Sequence, residues 1–175
     1  FGNPQNLEQK ICILSDLPDL SLMHDHAFLQ SEGFSVQKYA HNVFLKDLTE
    51  GVSNILNYSE NAFFAFKTTG GSNLDPEDGA TNSNGDVLSL EKDIYPNFDL
   101  ILAITDYSLT APLTASAKVH GFRGATLHGV NDIILKSGLA VDYVKISKQA
   151  ELFRNALDNT DYFELDFEVF GSKST

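Results

Sequence analysis

The side chains best suited to chemistry in this chain fall just after its apolar runs: Ser15 and Asp16, Thr68 to Asn73, Thr105 to Ser108, and His128 with Gly129. In an open parallel sheet, ligands bind outside the carboxyl ends of the strands. Asp16, Thr69, Asp106, Ser108 and His128 are therefore the candidate ligand-binding set. Carboxylates, hydroxyls and an imidazole suit a polar ligand or general-base work. A Ser108, His128, Asp106 triad can be written down, but Asp106 and Ser108 share one short loop and G-x-S-x-G is absent, so no catalytic residue is assigned.

Other signatures are excluded by spacing. Neither G-x-G-x-x-G nor G-x-x-x-x-G-K-[ST] occurs, and the first apolar run passes into SDLPDL without a glycine, which argues against a dinucleotide or P-loop site. Gly70-Gly71 reads as a turn. His24-Asp25-His26 resembles a metal pair, yet residues two apart on a helix point away from each other, and zinc needs three or four ligands held together. The two imidazoles read as solvated, and neither a metal nor a cofactor is expected. Cys12 lies within an apolar run and reads as a small hydrophobe.

Arg and Lys total 12 against 24 Asp and Glu, a formal charge of −12, the wrong sign for a nucleic-acid backbone or an anionic membrane surface. The longest apolar runs are strand-sized, too short for a membrane span. A single cysteine excludes an internal disulfide and fits a reducing, cytoplasmic setting. Phe1 in place of Met suggests a trimmed chain.

Periodicity predicts strands over Lys10–Ser15, Phe34–Tyr39, Ala62–Lys67, Phe98–Thr105 and Arg123–Leu127. Helices are predicted over Leu20–Glu32, Asp47–Tyr58 and Thr110–His120, a helical turn over Asn131–Ser137, and a last helix from an Asp142 cap through Leu157. Thr68–Asp93 reads as a long polar loop. Tyr162–Phe170 alternates strictly, so it reads as a half-buried strand at a sheet edge whose outer face, Glu164, Asp166 and Glu168, could meet a basic peptide. Alternating strands and helices imply one α/β domain over 1–175, a Rossmann-like three-layer arrangement with a mostly parallel sheet and helices on both faces.

The stretch from Asp99 to Asp166 carries a family pattern: DLILAITDYSLT, then GFRGATLHG, then GLAVDY ahead of a helix. It resembles the N-terminal domain of metallo-aminopeptidases of the aminopeptidase T and S type and of the related iron-dependent 2,5-dihydroxypyridine dioxygenases. The matching positions are Ser108, Leu109 and Thr110, then Gly121, Arg123 and Gly129, then Asp142 with Tyr143. Ala111, Pro112, Thr114 and Ala115 depart from the family's His-Thr and Ala-Arg positions, and His128 replaces a proline. The resemblance implies a Rossmann-like, non-catalytic domain that shapes a substrate cleft or interface, the metal ligands belonging to a C-terminal catalytic domain absent from this chain. That absent domain or a second copy would be its partner. The alternatives are a stand-alone peptide-binding or recruiting protein, as in a peptide-modifying pathway, and a domain that binds a small polar ligand.

Overall fold

The computed structural model describes residues 9–52, 58–164, 166–170 and 172–174. The chain divides into two compact units, Phe1–Asp132 and Ile133–Thr175, where the sequence reads as one domain. In the first unit a six-stranded sheet is built on β1 (Gln9–Leu17), which holds seven successive buried residues from Ile11 to Leu17. A run this apolar suits a strand covered on both faces. β1 pairs in parallel with β2 (Tyr58–Lys67) on one side and β5 (Leu100–Thr105) on the other, and β5 pairs in parallel with β6 (Arg123–His128). Two short antiparallel strands, β3 (Ala80–Thr81) and β4 (Val87–Leu88), extend the β2 side, giving the order β4-β3-β2-β1-β5-β6. The fold is thus α/β with a mostly parallel sheet.

Side-chain alternation explains the core. Cys12 and Leu14 of β1, Phe64 and Phe66 of β2, and Ile101 and Ala103 of β5 pack with Leu90, Ile94, Tyr95, Leu109, Leu113 and Phe122 in one buried cluster. Phe63, one residue out of phase with Phe64, stacks instead on Phe28, with ring centroids 6.0 Å apart. Helix α2 (Thr110–His120) covers β6, carries Pro112 in its first turn and ends on Gly121 at φ 82°, where a side chain would be strained.

Several expected elements differ. Phe34–Tyr39 is predicted as a strand, but Ser35–Tyr39 forms helix α1, continued by wider π-type turns over Ala40–Leu45 and Leu48–Val52. Gly33 and Phe34 both take left-handed backbone, φ 84° and 52°, and that sharp reversal starts the helix at once. Of the helix predicted over Asp47–Tyr58, residues 53–57 lie outside the described residues, and Tyr58 begins β2. The polar stretch Thr68–Asp93 holds β3, β4 and the start of a helical turn over Leu90–Ile94, so it is not irregular throughout.

In the second unit, α3 (Asp132–Lys136) straddles the boundary and α4 (Tyr143–Asp158) follows the predicted Asp142 cap, whose carboxylate accepts from the Val144 and Lys145 amides. No α4 residue is buried; Phe153 is 72% exposed. Among the described residues the half-buried edge strand expected over Tyr162–Phe170 is not observed, residue 165 lying outside them. β7 (Phe167–Val169) pairs only with β8 (Ser172–Ser174) in a two-stranded sheet of its own, Tyr162–Glu164 is irregular, and Glu164, Asp166 and Glu168 are exposed, as are Phe163 and Phe167. Alternation marks a strand only where a neighbour covers one face, and here Phe163 and Phe167 on the apolar side are as open as the acids. Among the described residues, no helix is long and apolar enough to cross a membrane.

Burial sets the energetic scale. Ile101, fully buried in the core, should lose ~2–5 kcal/mol on replacement by Ala. Leu157, 54% exposed, should tolerate Ala within ~0.5 kcal/mol. Urea unfolding of both variants checks the contrast; equal losses would contradict the exposure of α4.

Candidate functional site

β1 and β5 are adjacent, yet the chain leaves β1 toward β2 on one side and β5 toward β6 on the other. Such a point of diverging connections opens a crevice at the carboxyl ends of the strands. Asp16 and Asp106 meet there. Gln37, in the first turn of α1, donates from Nε2 to Asp16 Oδ1 at 3.1 Å and to Asp106 Oδ2 at 2.9 Å. The Asp106 backbone N–H also donates to Asp16 Oδ1 at 2.9 Å. Asp16 is buried and Asp106 exposed, so the pair reaches from the sheet interior to solvent. Ser15 is turned away, its hydroxyl donating to the Ile104 carbonyl at 2.7 Å.

Electrostatics follow from this burial. Loss of solvent raises the Asp16 pKa above the ordinary carboxylate value; the Asp106 backbone N–H opposes the rise, and the nearby Asp106 charge adds to it. Gln37 and Thr68 favour the ionised form, Thr68 without reaching hydrogen-bond geometry.

The loop after β2 meets the loop after β5 a little further on. Gly70 turns at φ 75°, as the sequence implies, and Thr69 Oγ1 donates to the Gly71 carbonyl at 2.9 Å, so Thr69 closes its own turn. Asn73, in the left-handed region at φ 60°, donates its N–H to the Ser108 carbonyl at 2.7 Å, and its Oδ1 accepts the Ala111 N–H at 3.0 Å. It thereby satisfies an amide at the open start of α2. Ser108 Oγ lies 3.0 Å from Thr110 Oγ1 and 3.4 Å from Asn73 Oδ1, and Thr110 Oγ1 lies 2.8 Å from Thr126 Oγ1. Among the described residues, neither an imidazole nor a carboxylate hydrogen-bonds to Ser108. His128 stands exposed opposite Thr105 at the end of β6 and joins neither group.

The sequence set therefore separates. Asp16 and Asp106 come together, Ser108 and Thr69 serve the second loop network, and His128 stands apart. Gln37 and Asn73 are the residues that sequence reasoning missed. A Gly33 stop followed by Val36 and Ala40 one turn apart was the available signal for Gln37; Asn73 beside Gly70-Gly71 was the turn signal for the other.

Two further groups resolve as structural. Arg123 donates from Nη2 to Gln9 Oε1 at 2.8 Å, linking β6 to β1 across β5. The segment predicted as a plain helix is a 3-10 segment, Leu20–Gln30, broken at His24–His26, where Asp25 and His26 take φ 49° and 54°. His26 is consequently not a solvated helix residue. Its ring packs among Phe28, Phe63 and His41, 4.7 Å from the His41 ring, while His24 remains exposed beside Asp25 at 3.0 Å. Among the described residues, no group of three or more His, Cys, Asp or Glu side chains could hold a metal ion. A cavity of about 330 Å³ lies between α2 and β6 and is lined by Leu113, Ala117, Phe122 and Thr126 among others.

No family model matches the chain, and neither does a curated protein or a solved structure.

The raised Asp16 pKa fixes a pH dependence. Its contribution to stability is present while the carboxyl is protonated in both states and is lost as pH rises from the unfolded value, about 4, through the folded one. Asp16→Asn keeps an oxygen for Gln37 and the Asp106 amide but cannot ionise. Thermal melts from pH 4 to pH 7 should show its Tm gaining on that of the parent chain as pH rises; a flat gap would show that folding leaves the Asp16 pKa unchanged, and a gap moving the other way that the ionised carboxylate is the stabilising form.

Proposed function

We propose that this chain is a non-catalytic, Rossmann-like domain of an aminopeptidase-like protein, and that the carboxyl ends of its strands form one wall of a substrate cleft or interface. The observation that carries this reading is the way the strand-end polar groups are used. Gln37 ties Asp16 to Asp106, and Asn73 ties the loop after β2 to the start of α2, so the groups bond to one another. A rim knitted in this way fixes the shape of a surface. Among the described residues of this rim, no hydroxyl stands within hydrogen-bond distance of an imidazole, the arrangement of a serine or threonine nucleophile with a histidine base.

The resemblance adds support element by element. Ser108 to Thr110 opens α2, Gly121 closes it, Arg123 opens β6, and Asp142 caps α4. Those are the roles the family pattern asks of these positions. The wall itself is acidic where Asp16 and Asp106 meet, so the cleft would favour substrates with a positive end.

Leucine 4-nitroanilide with Zn²⁺, Co²⁺ or Mn²⁺ tests the absence of catalysis, and amide hydrogen exchange tests the rim. The chain should release no nitroaniline above the buffer rate, and amides from Thr105 to Thr110 should exchange slowly in the parent and several-fold faster in Gln37→Ala. Metal-dependent release that Asp106→Asn abolishes would overturn the reading.

A further inference from the structure

We propose that the cavity between α2 and β6 binds a small apolar carboxylic acid as its anion, with the carboxylate at Lys118 and Thr114 and the apolar body against Leu113, Ala117 and Phe122. Charge is spread unevenly along this chain. Of its 24 acidic residues none falls between Tyr107 and Asn131, the stretch that makes α2 and β6, whereas Lys118 and Arg123 do. Acids from elsewhere approach α2 on another face, for Asp75, Asp78 and Glu91 line a separate, smaller cavity with Pro112 and Ser116. At 3.6 residues per turn, Pro112 and Ser116 share one face of the helix, and Leu113, Thr114, Ala117 and Lys118 lie on the opposite side. Among the described residues, the wall of the cavity against β6 thus holds one cation and no acid, in a protein of formal charge −12. A site that keeps a cation and excludes carboxylates selects an anion.

Size and lining define the rest of the ligand. The volume, about 330 Å³, falls within the ~300–1,000 Å³ of small-molecule pockets, and buried Leu113 and Phe122 with partly buried Ala117 give it an apolar wall. At the end where α2 begins, Asn73 Oδ1 can only accept, so Ser108 donates to it, Thr110 donates to Ser108, and Thr126 donates to Thr110. Those hydroxyl protons are all used within the chain, and none is left for an anion there. Further along the same face, Thr114 and Lys118 stand one turn apart, both exposed. Among the described residues neither Thr114 Oγ1 nor Lys118 Nζ has a partner, so an O–H and an ammonium group are available together. One cation and one hydroxyl balance a single negative charge. A phosphate monoester, with about two charges at pH 7, would leave one uncompensated.

This inference uses neither Asp16 nor Asp106, so its failure and the failure of the cleft reading are separable. The probe is sodium 4-phenylbutyrate, titrated at pH 7.5 and low salt while the backbone amides of Ala117, Lys118 and Gly124 are followed by nitrogen-15 NMR. Saturable shifts at all three are expected. Acetate, which has the charge and no apolar body, and 4-phenylbutylammonium, which has the body and the opposite charge, should each bind about tenfold more weakly or worse. Lys118→Gln and Thr114→Val should each weaken 4-phenylbutyrate binding about three- to fivefold, the scale of one exposed ion pair or one hydrogen bond. Both residues are exposed, so the urea midpoints of the two variants should match the parent's. N-acetylglycyl-leucine distinguishes the source of the carboxylate: tighter binding than that of 4-phenylbutyrate assigns the site to peptide carboxyl termini, and weaker binding assigns it to free carboxylic acids. Shifts that never saturate, equal binding of the ammonium analogue, or binding unchanged in either variant would overturn the proposal.

Discussion

The double parallel pairing of β1 is the constraint on which the rest of the first unit depends. β1 registers with β2 over nine residues and with β5 from Ile11 to Leu14, and every side chain from Ile11 to Leu17 is buried between these neighbours and the layers that cover them. Neither neighbour can slip without carrying apolar side chains to the wrong face, because the side-chain period of a strand is two. The register also sets the chemistry. It delivers Asp16 to the carboxyl end of β1 beside the first residue after β5, and the two carboxylates meet as a result.

The central strands were legible because burial on both faces leaves an unbroken apolar run. KICILS and FDLILAIT announce themselves whatever surrounds them, and the Asp142 cap and the Gly121 stop are equally local signals. Failures came where a pattern depended on a distant surface. Phe34–Tyr39 alternates like a strand, yet Gly33 and Phe34 reverse the chain and Val36 and Gln37 find a place against β1 and β5 as helix. Tyr162–Phe170 alternates more strictly still, yet Phe163 and Phe167 on its apolar side stay exposed.

The site was half legible for the same reason. Strand ends can be located from apolar runs, so Asp16 and Asp106 could be named; which neighbour reaches them is decided by tertiary packing, and Gln37 was hidden inside a misread element. The kink at His24–His26 is a comparable case. Two successive left-handed, non-glycine residues are costly, and the surrounding rings and the bond from the Asp25 amide to the Ser83 carbonyl, at 2.8 Å, help hold them there.

Cys12 sits in the middle of β1, fully buried, and burial pushes its thiol pKa well above the usual range. A thiol of that kind reacts only as thiolate and only when reached, and nothing short of separating β1 from β2 or β5 reaches it. The chain therefore carries a built-in clock for its own opening. The rate at which Cys12 is alkylated reports how often the central strands part, independently of fraying at α4 or the outer hairpin, so the persistence of the folded sheet is readable through one sulfur atom.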